Sequence, residues 1–147
     1  MFFDDIEIGT TVRVGSYRVE QDEILEFGRK WDPLPTHTDI EAAARSPFGG
    51  LIASGAHTVA IRTLLLHRLP TREAVIATGQ WDEVKFHQPV RPGDDLSLEV
   101  TWTGKRESAT KPDRGIVNAE MKVLNQKGEV VLSQRNTIFM RRRTASR

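Results

Sequence analysis

Asp32 and His37 stand five positions apart in the segment WDPLPTHTD, residues 31–39, with Pro33 and Pro35 between them. Each proline fixes its own φ and restricts the residue before it, so the two side chains can be held at a set separation. A carboxylate and an imidazole sharing one water form an acid–base pair that works near neutral pH. The same residue types also serve as a turn cap and a surface histidine, and the segment alone does not choose between these readings. His37 and Asp39 could bind a metal, but no H-E-x-x-H or comparable ligand set accompanies them.

A second constellation is FGGLIASGAH, residues 48–57. Ser54 is placed to cap a helix whose first residues are Gly55 and Ala56. The first N–H groups of a helix have no partner within it, and the helix dipole adds positive potential there. Such a terminus can hold a phosphate or the oxygen of an enolate, and Gly55 lets a ligand approach the backbone. A capped core helix is the plainer alternative. There is no G-K-[ST], so this is not a Walker loop, and Ile52 rules out a G-x-S-x-G elbow. His57, in the first turn, could line the same cleft or sit satisfied in the interior. His67 suits the negative end of the helix dipole. His87 carries no motif.

Two kinds of element must position these residues. Thr10–Val19 reads as a first strand, and a short helix capped by Asp22 carries Ile24, Leu25, Phe27 and Trp31 on one side until the prolines stop it. Asp39 starts another short helix that ends before Pro47. The segment from Gly55 to Pro70 is apolar nearly all round, as in a buried helix. Residues 76–86, 96–103, 115–124 and 130–139 read as strands, with turns at 89–95 and 125–129. One buried helix followed by an antiparallel meander predicts an α+β fold with the sheet wrapped around that helix.

The chain has 147 residues, suited to one domain, with a core domain over 1–140 and a solvated basic tail over 141–147. A net charge of +1 argues against nucleic acid or a charged membrane surface as partner. No cysteine is present, which removes disulfides, thiol catalysis and cysteine-based zinc sites and suits a reducing, cytoplasmic setting. MFFDDIEIG lacks the basic and apolar regions of a signal peptide, and no run is long enough to span a membrane.

WDPLPTHTDIEAAARSPFGGLIASG resembles the signature of the MaoC-like dehydratases, the (R)-specific enoyl-CoA hydratases of the hotdog fold. Asp32, Pro35 and His37 match the family's Asp, Pro and His, and Gly55 matches its helix-start glycine. FHQPVRPGD (86–94) is similar to the family's strand-turn segment, and IVNAEMKVLNQKGEVVLS (116–133) to its last hairpin. The resemblance implies a single hotdog domain that needs no metal or cofactor. It also implies a homodimer or higher homo-oligomer, and a trans-2-enoyl thioester of coenzyme A or acyl carrier protein as substrate. Asp32 would be the base toward water, His37 would orient it and protonate the α carbon, and the Gly55 N–H would hold the enolate. Ser54, Ala56, His57 and Thr63 would line the substrate site, and Lys105, Arg106, Lys111 and Arg114 would meet the coenzyme A phosphates. Leu34 stands where the family has Asn, Ser54 where it has His, and Thr63 where it often has Ser, which points to altered substrate choice. A hotdog thioesterase, or a non-catalytic acyl-CoA-binding subunit of a heteromeric hydratase, are the competing readings.

Overall fold

A computed structural model describes residues 1–143. Five strands form one antiparallel sheet: β1 (Thr11–Arg18), β2 (Val75–Phe86), β3 (Asp95–Glu107), β4 (Arg114–Leu124) and β5 (Val130–Arg141), in the order β1-β3-β4-β5-β2. Only β3, β4 and β5 make a meander. β2 crosses over to pair with β5, so β1 and β2 are the two edges.

Alternation along the strands builds the core. Leu96, Leu98, Val100 and Trp102 on β3, and Val117, Ala119, Met121 and Val123 on β4, are all buried. Their odd or even spacing puts each set on one face of the sheet. That face receives α4 (Gly55–Leu66) through Ile61, Leu65 and Leu66. β5 departs from the pattern, because Gln134 and Asn136 are buried among apolar neighbours. β2 is exposed along nearly its whole length and presents Trp81, Val84 and Phe86 to solvent.

α4 is not enclosed all round: Leu64 is 44% exposed and Ala60 is exposed as well. One sheet can cover only one side of a helix, and the overhang that precedes α4 covers part of the rest. That overhang consists of α1 (Gln21–Trp31), α2 (Pro35–Thr38) and α3 (Ile40–Ala44). The N-cap of α1 is Glu20 rather than Asp22, which sits in its first turn near the positive end of the dipole. Ile24, Leu25 and Gly28 face the core, whereas Trp31 is 66% exposed beside Lys30.

The basic end of the chain is held as far as it is described. Arg141 closes β5, Arg142 pairs with Asp4 and Glu107, and Arg143 binds Asp5 at 2.6 Å and 2.5 Å. The rest of the expected solvated tail, residues 144–147, lies outside the described residues.

Candidate active site

Two short helices meeting at a glycine bring Asp32 and His37 together. α1 ends at Trp31, and the Asp32 N–H closes it by donating to Gly28 O at 2.9 Å. Pro35 then opens α2 at the position where a missing N–H costs nothing. His37 therefore rides on a helical turn. A Cβ on Gly28 would stand 2.8 Å from His37 O, so only glycine lets α1 approach α2 this closely.

His37 is buried, and its Nδ1 lies 2.8 Å from Ile52 O. A carbonyl only accepts, so Nδ1 carries the hydrogen and Nε2 is left for the site. Nε2 lies 3.5 Å from Asp32 Oδ2, and the Ser54 hydroxyl donates to the same oxygen at 2.7 Å. Asp32 Oδ2 is thus shared between Ser54 and His37, whereas Oδ1 has no partner among the described residues. Asp39, a candidate metal ligand by sequence, instead caps α3 by accepting from Ala42 N at 3.1 Å.

Ser54 caps α4 as expected, with its Oγ accepting from Ala56 N at 3.2 Å. Its hydrogen is then committed to Asp32 and one of its two lone pairs to the Ala56 N–H. The Gly55 N–H makes no hydrogen bond among the described residues. Gly55 lines a cleft of about 470 Å³ together with His37, Ile52, Thr58, Phe86 and His87, among others. The Phe86 ring lies across Gly55, where a Cβ would come within 2.8 Å of it.

Several expected residues sit elsewhere. His57 points to the opposite flank of α4, where Nε2 meets Glu23 Oε1 at 2.9 Å and the ring stacks on Phe27. Consecutive residues of a helix diverge by about 100°, which separates His57 from the face of Gly55 and Thr58. Glu23 also accepts from the Tyr17 hydroxyl, which together with burial pushes the Tyr17 pKa up to about 12. These groups wall a second cavity of about 440 Å³ that reaches Trp31 and Leu64. Thr63 lies beyond the cleft, its hydroxyl donating to Val59 O at 3.1 Å. None of Lys105, Arg106, Lys111 and Arg114 lines the cleft. They belong to the β3–β4 hairpin, where Lys105 donates to Phe3 O and Arg114 pairs with Asp113. Sequence reasoning missed Gly28, Phe86 and His87. Only the proximity of Phe86 and His87 to a proline turn distinguishes them in the sequence.

An α+β hotdog with an Asp–His pair beside an open helix terminus defines the class of this protein. A family model described as the MaoC like domain matches residues 5–124, and the chain belongs to the MaoC-like dehydratase family. The crystal structure of a MaoC-like dehydratase from Rhodospirillum rubrum is 39% identical, with a TM-score of 0.91 and 99% of each chain covered. The uncharacterized protein YdeM of Bacillus subtilis is 29% identical over 97% of this chain and 100% of its own length. The (R)-specific enoyl-CoA hydratase of Rhodospirillum rubrum is 32% identical over 70% of both chains.

Proposed function

We propose that this chain is a hydratase/dehydratase that adds water across the double bond of a trans-2-enoyl thioester of coenzyme A or acyl carrier protein. The product is the (R)-3-hydroxyacyl thioester. The observation that carries this reading is that His37, paired with Asp32, lines one cleft together with Gly55 at the start of α4. Asp32 Oδ1 takes a proton from water as the hydroxyl adds to the β carbon. The electron pair moves onto the thioester oxygen, where the Gly55 N–H stabilises it. Losing such a donor costs about 2.7–4 kcal/mol of transition-state stabilisation. Protonated His37 delivers its Nε2 proton to the α carbon from the same face, giving syn addition. Return of one proton from Asp32 to His37 Nε2, relayed by solvent after product leaves, restores the pair.

The working unit in this reading is a homodimer, supported by the unpaired β2 edge with its exposed Trp81, Val84 and Phe86. The absence of cysteine supports a reducing, cytoplasmic setting.

The test is hydration of crotonyl-CoA with the chirality of the product read out. Asp32→Asn and His37→Ala should each lower kcat roughly 10²–10⁴-fold with the fold intact by circular dichroism. Wild-type turnover in both variants would overturn the assignment. Release of free coenzyme A from saturated acyl-CoA without hydration would mean a thioesterase. Binding without turnover until a second chain is added would mean a non-catalytic subunit.

A further inference from the structure

Arg62 is a buried cation with no carboxylate partner among the described residues. It is 2% exposed, in the middle of α4. Burial lowers its pKa to about 10, so it stays charged at neutral pH. One terminal nitrogen donates to Thr63 Oγ1 at 2.8 Å. The other reaches Met121 Sδ at 3.4 Å and, with the Asn136 amide turned to suit its neighbours, Asn136 Oδ1 at 3.0 Å. Nε has no partner. A charge taken out of water this completely is ordinarily paired with an opposite charge. Here only neutral groups and the Trp81 ring, 5.0 Å from the guanidinium carbon, attend it.

Arg62 lies behind the lining of the cleft, on the face of α4 that bears it. Thr58 and Arg62 are four residues apart on one face of α4, and Thr58 lines the cleft that opens at Gly55. β2 roofs this face with two aromatic rings. Phe86 lies over Gly55 and Trp81 over Arg62, and they pair with Leu132 and Asn136 at matching positions of β5. Arg62 stands roughly 10 Å along the helix axis from Gly55. A thioester held at Gly55 with its acyl chain running under β2 would bring the chain's far end toward the guanidinium.

We infer that the acyl group carries a terminal carboxylate and that Arg62, oriented by Thr63 and Asn136, receives it. The substrate class is then an ω-carboxy-2-enoyl thioester rather than a plain alkyl one. The planar guanidinium fork suits a carboxylate, and the neutral groups around it leave its charge unmatched until the substrate arrives. This rests on the hydratase reading above.

The experiment compares 2-enoyl-CoA substrates of five, six and eight carbons, with and without an ω-carboxylate, on wild type and on Arg62→Met and Arg62→Lys. The expected result is a kcat/KM at least tenfold higher for a carboxylated chain in wild type, with the preference inverted in Arg62→Met and partly kept in Arg62→Lys. Wild type preferring the alkyl chains, or a ratio that Arg62→Met does not move, overturns the inference. So does an Arg62→Met protein that turns monomeric in light scattering with its ratio unchanged, because the counter-ion is then an acid of the second copy. If Arg62→Met fails to fold, the wild-type ratio and Arg62→Lys still decide. Calorimetric binding of glutaryl-CoA and butyryl-CoA separates this inference from the hydratase reading. Equal affinity for both ligands sinks the carboxylate alone, whereas binding of neither sinks the acyl-CoA site itself.

Discussion

Ser54 decides how Asp32 is presented. Its hydroxyl donates to Oδ2, and its own orientation is set by the Ala56 N–H. A hydrogen bond to a charged group contributes about 1.5–3 kcal/mol. Ser54→Ala should therefore lower kcat roughly 10- to 100-fold in a crotonyl-CoA assay, and Ser54→Thr, which keeps the hydroxyl, should recover most of it. The second residue-scale prediction concerns Tyr17, the one tyrosine of the chain. Its raised pKa, caused first by the Glu23 hydrogen bond and then by burial, favours the neutral phenol in the folded state. The associated stability is full below the ordinary tyrosine range near 10 and is lost as pH rises through about 12. Ultraviolet titration should place phenolate formation near 12 in wild type and nearer 10 in Glu23→Gln. An unmoved midpoint would show that Glu23 does not hold the phenol.

At the scale of elements, the site depends on how closely α1 meets α2. A Cβ at Gly28 would press on His37 O at 2.8 Å and His37 Cβ at 2.9 Å, and the backbone of α2 has no flexible end to yield. Gly28→Ala should cost about 1–3 kcal/mol in chemical denaturation. It should also lower kcat roughly a hundredfold, because a shift near 1 Å misplaces His37 against Asp32. Full activity in a destabilised Gly28→Ala protein would show that the contact holds the overhang without positioning the site. The Glu23–His57 pair on the far flank ties α1 to α4 in the same way, so the overhang is fixed from both sides.

For the whole molecule, the N-terminal turn is joined to the segment that follows β5. Arg143 binds Asp5, and its backbone N–H donates to Asp4 at 2.6 Å. Both carboxyls are held below the usual carboxylate range. Asp4 is held down first by the Arg143 backbone N–H, and Asp5 first by the Phe2 N–H and then by the Arg143 guanidinium. A lowered folded pKa means stability that is present above the ordinary carboxylate range and lost as pH falls through the folded value. Arg143→Ala should therefore lower Tm at pH 7, and the difference should shrink as pH drops below about 4. A difference that stays constant with pH would show that ion pairing at this seam contributes nothing. Light scattering gives the other whole-molecule readout, since a dimer has twice the 16.6 kDa of one chain.

Much of this was legible in the chain. Alternation marked β3 and β4, because an antiparallel sheet with one buried face sorts its residues by parity. The prolines between Asp32 and His37 and the Ser-Gly step at 54–55 marked the site, because proline and glycine constrain the backbone where they stand. The contacts between segments were not legible. The sequence does not say that α1 rests on α2 at Gly28, that Ser54 turns its hydroxyl to Asp32 rather than to a ligand, or that His57 faces Glu23. It shows Arg62 only as one cation in an apolar helix, where a surface position would have been the ordinary reading. Local periodicity and capping act over a few residues, so the chain itself determines its elements and its reactive residue types. Which side chains share a cleft, and which charge is sealed away from water, depends on packing between elements distant in sequence, and only the tertiary structure decides it.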